Sequence, residues 1–379
     1  MTDRLNAVLA ATDTNRRQSE LSKFCKTSDV VLYGAGLTGK HILTNLLAHG
    51  IRPLFIADDT PAKQFTEIEG IKIVPLAHLE TITQPYALVV TMLNPQMDFH
   101  RLSVSLNERG IRNVYSFIEL SFLFPESLLP YFHFGSREDL LQDTNAIKQA
   151  FDLFTDQLSK DIFIKNLDFR ITLDFAKIPL GDKDDYFPES VVQVPDQSVF
   201  FDCGAFNGDT VNAFIQKHPK FDKIYAFEPD AGNFNKLLQY CAGLNEEISE
   251  RIFVYNFGLS AQHRFLKFNS LGNMASSIDD AGNEVIQTIH LDSFLPSFDG
   301  YNNSIFIKMD IEGEEPNALR GCEQLIRNKK PHLAISAYHN VDDLWRIPLY
   351  LHSLHSSYRF YLRQHGNDSM DLVLYAIAS

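Results

Sequence analysis

The sequence predicts an α/β protein built in two parts, and three observations predict it. From Ser198 onward, short β-branched and aromatic runs alternate with amphipathic helical stretches, the pattern of a mainly parallel sheet covered on both faces. An earlier βα unit is punctuated by Gly34-Ala-Gly36-Leu-Thr-Gly39. At 379 residues the chain is longer than one hydrophobic core commonly serves, so two domains are expected.

Taken in order, Val30 to Tyr33 reads as a strand that runs into the three glycines and then a helix, Lys40 to His49. Ile51 to Ala57 is a second strand, ending at Asp58 and Asp59. Tyr86 to Met92 is a third, followed by a helix Asp98 to Arg109 and a strand around Val114 and Tyr115. This places an amino-terminal domain at 1–120. Residues 121–195 carry aromatics and Leu at helical spacing between prolines and glycines; Phe151, Phe154, Leu158 and Ile162 share one helical face and need a partner surface, so a packed helical connector is expected.

The third segment, 196–379, opens with a strand Val199 to Cys203, then a helix Asp209 to Lys217, a strand Lys223 to Phe227, a helix Gly232 to Cys241 and a strand Ile252 to Phe257. Ser304 to Met309, a helix Glu314 to Ile326, His332 to Ala337 and a helix Asp342 to Leu354 continue the alternation. Tyr358 to Arg363 and Leu372 to Ile377 close it as a hairpin-like pair.

Composition narrows the function. Hydrophobic residues at 45% and charged residues at 22% describe a soluble folded chain. A net charge of -14, with no long block of Lys or Arg, argues against nucleic acid as substrate. The four cysteines, Cys25, Cys203, Cys241 and Cys322, have no metal-site spacing and read as reduced thiols. The first residues lack an apolar signal core, and no apolar run approaches the roughly 20 residues of a membrane helix. A cytoplasmic protein without membrane insertion is the expectation.

Ligands of open α/β sheets bind beyond the carboxyl ends of the strands, so the residues just after each strand matter most. The first strand of the third segment ends in Asp202-Cys-Gly204-Ala205-Phe-Asn207-Gly208-Asp209-Thr210, where glycines let the backbone pass close to a ligand before a helix begins. The second ends in Glu228-Pro229, an acid placed to accept hydrogen bonds from ribose hydroxyls. Lys308, Asp310 and Glu312 would share one face if the strand stayed extended, and three ionisable groups there are costly without partners. Glu314 and Glu315 begin the next helix, where an acid also suits the dipole. His339, after the next strand, lies over the same edge and is the preferred general base, with Asp310 as rival base or metal ligand.

The segment from about Ser198 to Ile377 resembles the FkbM family of methyltransferases. The residues carrying the likeness are Asp202 to Thr210, Phe227-Glu228-Pro229, Leu291-Asp292-Ser293-Phe294, Ile307-Lys308-Met-Asp-Ile-Glu-Gly313 with Glu315, and Tyr338-His339, preceded by Tyr186-Phe187-Pro188. The resemblance implies a doubly wound class I fold with strand order 3-2-1-4-5-7-6 and an antiparallel last strand. It implies S-adenosylmethionine as methyl donor and O-methylation of a sugar, glycan or secondary metabolite. By position, Asp202, Gly204, Asn207 and Gly208 would hold the methionine part and Glu228 the ribose, with Ala205, Asp209, Thr210 and Pro229 also in the cofactor site, and Gly258, or Ser276 and Ser277, on the adenine side. No metal is required, although Asp310 and Glu312 offer carboxylates to a divalent ion.

In the first domain, Gly34, Gly36 and Gly39 between strand and helix, with Asp58 and Asp59 after the next strand, form a second, Rossmann-like nucleotide motif. The expectation is a nucleotide or nucleotide-sugar site that presents or senses the acceptor, against packing or contacts between like subunits. Two other readings stay open: an NAD-dependent oxidoreductase of nucleotide-sugars, and a non-catalytic nucleotide sensor.

Overall fold

The computed structural model describes residues 1–10, 16–92, 97–174, 181, 186–269, 277–278, 282, 284–298, 303–367 and 369–378. Two units partition the chain: 1–142 with 164–181 and 366–370, and 143–163 with 182–365 and 371–379. The helical stretch expected between the domains is thus shared out, and the helix Gln157–Thr172 is itself divided between the two units.

In the first unit the strands are β1 (Val30–Tyr33), β2 (Phe55–Ala57), β3 (Glu67–Ile68), β4 (Ile71–Val74), β5 (Ala87–Val90) and β6 (Asn113–Ser116). They form one sheet in the order β3-β4-β2-β1-β5-β6, parallel throughout except at the β3–β4 hairpin. β5 is buried at all four residues, as continuous Val and Leu in the middle of a parallel sheet require. The second strand is shorter than its hydrophobic run, starting at Phe55, because Pro53 lies inside that run. The helix Phe99–Glu108 begins where Asp98 accepts a hydrogen bond from Arg101 N at 2.9 Å.

In the second unit the strands are β7 (Val199–Cys203), β8 (Lys223–Phe227), β9 (Ile252–Tyr255), β10 (Gly258–Leu259), β11 (Arg264–Asn269), β12 (Ser277–Ile278), β13 (Glu284–Ile289), β14 (Ile305–Met309), β15 (His332–Ser336), β16 (Arg359–Gln364) and β17 (Leu372–Ile377). Seven of them form a sheet in the order β16-β17-β15-β14-β7-β8-β9, with β17 antiparallel to both neighbours. One face packs Phe187, Phe200, Phe214 and Phe306 together, all buried. Each such ring contributes about 2 kcal/mol by leaving water. The segment 143–163 belongs here because Asp143 accepts from Trp345 Nε1 at 2.8 Å and pairs with Arg346 at 2.7 Å.

Two features depart from the sequence reading. The helix expected from Glu314 to Ile326 is two helices, Glu315–Arg320 and Glu323–Lys329. The break falls at Gly321, where a side chain would collide with the Ser260 carbonyl. β10 to β13 form a separate four-stranded sheet, order β10-β13-β11-β12, in a stretch where no strand was expected. Among the described residues no helix is long and apolar enough to cross a membrane, and all four cysteines are free and buried.

Candidate active site

The parallel strands of the second unit bring their carboxyl ends to one edge. β7 delivers Asp202 and then a tight loop in which Gly204, Phe206 and Gly208 all take positive φ (85°, 47° and 92°). A Cβ on Gly204 would strike the Asp310 carbonyl, and one on Gly208 would lie 2.7 Å from the Tyr240 ring. Both glycines therefore let the β7 loop lie against its neighbours, β14 on one side and the helix Ala231–Ala242 on the other. Gly208 also caps the helix Asp209–Lys217.

Glu228, at the end of β8, ties this loop down. Its Oε2 accepts from Phe206 N at 2.9 Å and its Oε1 from Asp230 N at 2.8 Å. Burial raises its pKa to about 7, against those two backbone N–H groups. Each oxygen keeps a second lone pair, so the carboxylate still has capacity for a diol. Asn207 accepts from Asp209 N at 3.2 Å, and Asp209 from Thr210 N at 2.7 Å. Ala205 is buried, with its N–H on the Phe227 carbonyl at 2.9 Å. Gly258 is buried in β10, 3.8 Å from Pro229 by its would-be Cβ. Ser276 lies outside the described residues, and of Ser277 only the backbone is described.

Asp202 and Lys308 sit side by side on β7 and β14, both buried, with Lys308 Nζ 3.1 Å from Asp202 Oδ1. Lys308 also donates to the Gly204 carbonyl at 2.6 Å, and its ammonium lies 5.2 Å from the Tyr186 ring centre. Burial would lower the Lys308 pKa, but Asp202 and Asp310 hold it above the ordinary lysine value. Burial raises Asp202 to about 6 against the pull of Lys308. Lys308 thus braces the loop from within, and the carboxylates that follow it, Asp310 and Glu312, lie beyond the strand.

Those carboxylates converge by another route. β14 ends at Met309, Asp310 N still donates to the Cys203 carbonyl at 3.0 Å, and the chain then turns through Glu312 and Gly313, at φ 54° and 99°, so strand alternation does not carry on to Glu312. His339, after β15, meets them: its Nε2 lies 3.4 Å from Asp310 Oδ1 and 3.9 Å from Glu312 Oε2. Its Nδ1 is 2.9 Å from Glu315 Oε1. Glu315 is fully buried and also accepts from Ile311 N at 2.7 Å and Gly313 N at 3.1 Å. Tyr186 donates its hydroxyl to Asp310 Oδ2 at 2.7 Å.

Burial would lower the His339 pKa, but Glu315 first, then Asp310 and Glu312, raise it to about 10. Burial raises Glu312 to about 8, whereas Lys308 and His339 hold Asp310 below the ordinary carboxylate range. With nothing bound at the cluster, these shifts favour a charged imidazole facing an ionised Asp310, Nε2 to Oδ1, at 3.4 Å. Glu315 was read as a candidate helix cap and Tyr186 only as part of a motif; the acid one residue inside a helix start was the available signal for the first, and nothing local marked the second.

Residues 202–369 match the profile of the methyltransferase FkbM domain. That segment, 202–369, is an FkbM methyltransferase domain. A crystal structure of methyltransferase FkbM from Methylobacillus flagellatus KT is similar over 99% of this chain and 99% of that one, at 20% identity and a TM-score of 0.80, which places the two in one fold. A SAM-dependent methyltransferase from Aquifex aeolicus is 15% identical over 49% of this chain and 85% of its own, TM-score 0.29. Fibrillarin from Aeropyrum pernix, with bound S-adenosyl-L-methionine, is 10% identical over 52% and 71%, TM-score 0.29. No curated protein matches the sequence. With that domain the chain is a SAM-dependent methyltransferase, and the motifs quoted for the family acquire physical roles. Asp292, for example, accepts from Gln324 N and Leu325 N at 3.0 and 2.8 Å, while Phe294 packs edge-on to Phe227.

In the first unit, Gly39 sits where a Cβ would strike the Gly34 carbonyl, and a Cβ on Gly34 would come within 2.8 Å of Thr91 Oγ1. Gly36 has open space around it. Asp58 accepts from Ala35 N and Thr60 N at 2.8 and 2.9 Å and pairs with Lys63 at 2.9 Å. Asp59 accepts from Leu76 N at 2.9 Å.

Proposed function

We propose that this enzyme transfers a methyl group from S-adenosylmethionine to a hydroxyl of a sugar, glycan or related metabolite. The observation that carries the proposal is the pair of unmade bonds beside the donor loop. Asp310 Oδ1 and His339 Nε2 have no hydrogen-bond partner among the described residues, and Asp310 keeps 25% of its side-chain surface. A hydroxyl is the group that would use both.

The residues present fit the donor. The left-handed loop brings backbone close without side chains, Glu228 retains lone pairs for ribose hydroxyls, and Asp202, Gly204, Ala205, Asn207, Gly208, Asp209 and Thr210 line or brace the methionine side. Pro229 and Gly258 would flank the adenine. When bound, the donor supplies a sulfonium methyl: attack forms the O–CH3 bond, the S–CH3 electron pair returns to sulfur, and the hydroxyl proton leaves. Asp310 would accept that proton, its Oδ1 being a buried carboxylate oxygen without a hydrogen-bond partner among the described residues. Alignment of the attacking oxygen supplies much of the rate.

We do not extend the proposal to a nucleotide at Gly34, because Gly34, Gly39, Asp58 and Asp59 already have internal uses and only Gly36 has open space around it. Thermal unfolding with S-adenosylhomocysteine, NAD and nucleotide-sugars added separately tests the reading. Saturation at about a hundred times the dissociation constant stabilises by about 2.7 kcal/mol. A rise with S-adenosylhomocysteine, lost in Glu228→Ala, followed by methylation of a hydroxylated acceptor, is the expected result. A rise with NAD alone would favour an oxidoreductase; donor binding without turnover on any hydroxyl would favour a sensor.

A further inference from the structure

We infer that Asp310, Glu312 and His339 bind a divalent cation of the manganese or magnesium class, which holds the acceptor hydroxyl; this rests on the methyl-transfer reading for its purpose, though not for its geometry.

The three side chains each offer one atom, and those atoms all lie within 4.8 Å of one another. Ligands sharing one ion at about 2.1–2.4 Å stand about 3.0–4.8 Å apart, depending on the angle between them. The Nε2 to Oδ1 and Nε2 to Oε2 separations of 3.4 and 3.9 Å fall in that interval and are longer than good hydrogen bonds. Acidic clusters on surfaces often have such spacings, so spacing does not decide the matter.

The imidazole decides it. His339 has 2% of its side chain exposed, its Nε2 makes no hydrogen bond among the described residues, and that atom is aimed between the two carboxylates. Leaving a buried ring nitrogen unmatched is costly unless something else binds there. Its other nitrogen is taken by Glu315, itself locked by two backbone N–H groups. A carboxylate behind the far nitrogen is the usual support of a metal-binding histidine: it keeps a proton on Nδ1, so that an arriving ion displaces the Nε2 proton and meets a lone pair aimed at it. Tyr186 does the same for Asp310 by donating to Oδ2, leaving Oδ1 to face the cluster.

One nitrogen with two carboxylates suits manganese or magnesium, with open positions for water or substrate oxygens. Asp310 and Glu312 each have 25% side-chain exposure, so the open side faces outward. A hydroxyl held there would be more acidic, and would give its proton to a neighbouring carboxylate oxygen not engaged by the ion. A neighbouring hydroxyl of a diol would occupy a second position, which favours polyols over isolated alcohols.

The test is Mn2+ titration of the chelator-stripped full chain, followed by electron paramagnetic resonance. The site predicts one tightly held Mn2+ per chain, weakened about ten- to a hundredfold in Glu315→Gln and abolished in His339→Ala and Asp310→Asn. Stabilisation by S-adenosylhomocysteine should persist in each variant, which shows that it is folded. Absence of stoichiometric binding to the wild type, or equal binding to all variants, would overturn the site. Full activity after chelation would remove the cation and leave methyl transfer standing. Mn2+ held at the cluster with no donor binding would do the reverse.

Discussion

Glu315 Oε1 lies 2.9 Å from His339 Nδ1, joining the start of the helix after β14 to the end of β15. The same carboxylate accepts the N–H groups of Ile311 and Gly313, so one buried side chain fixes both the imidazole and the turn that carries Asp310 and Glu312. Replacing it with Gln keeps the volume and removes the charge. Methyl-transfer rate should fall about ten- to a hundredfold with donor affinity unchanged. Glu315→Ala should in addition lower stability by about 3 kcal/mol, read by urea unfolding, since it leaves two N–H groups and an imidazole unmatched. Equal loss of donor binding in Glu315→Gln would refute this division of roles.

Glu228 gives a pH signature. Burial raises its folded pKa to about 7, above the roughly 4.3 of an unfolded glutamate. The folded state therefore holds the proton more tightly, and this group's stabilising contribution is present at low pH and lost as pH rises through that window. Glu228→Gln, which stays neutral, should gain stability relative to the wild type between pH 5 and pH 8. Its affinity for S-adenosylhomocysteine should fall over the same comparison. Denaturant unfolding at both pH values and a binding titration at pH 8 check the two halves; a wild-type minus variant difference that does not change with pH would contradict the first.

Lys308 and Asp202 form a buried ion pair, at 2% and 0% side-chain exposure. Lys308→Met leaves Asp202 buried without its partner and should cost about 3–5 kcal/mol. Adding Asp202→Asn should recover much of that loss. A double-mutant cycle by thermal unfolding measures the coupling, and strict additivity would mean that the two side chains do not stabilise one another.

Gly204 and Gly110 have nearly the same φ, 85° and 84°, but only at Gly204 would a Cβ meet backbone, that of Asp310. Gly110→Ala should cost about 1 kcal/mol, the conformational term alone. Gly204→Ala should cost at least about 2 kcal/mol more, and should weaken donor binding because the loop must move away from β14. Parallel melts of the two variants separate strain from collision.

Local pattern carried most of the framework. β7, β8 and β17 have the bounds expected of them, because central strands buried on both faces leave nearly continuous hydrophobic sequence, interrupted in β7 by Asp202 and preceded in β8 by Lys223. The motif from Asp202 to Thr210 and the acid at Glu228 were legible for a related reason: ligand-facing residues follow strand ends, and glycine is needed where φ is positive. The four-stranded sheet was not legible, since β10 and β12 are two residues each and owe their pairing to distant partners. Nor was the break at Gly321, which is set by the Ser260 carbonyl packed against it.

By itself the sequence determined the class of fold, the methyltransferase motifs and which ionisable residues lie near one sheet edge. Tertiary structure alone decided what those residues do to one another. Lys308 pairs with Asp202 on the neighbouring strand, the turn at Glu312 and Gly313 lets Asp310 and Glu312 meet His339, and Glu315 from the helix that follows and Tyr186 from far along the chain hold them. Charge states and free lone pairs depend on distances of a few Å between groups remote in sequence, and on burial, which no periodicity records.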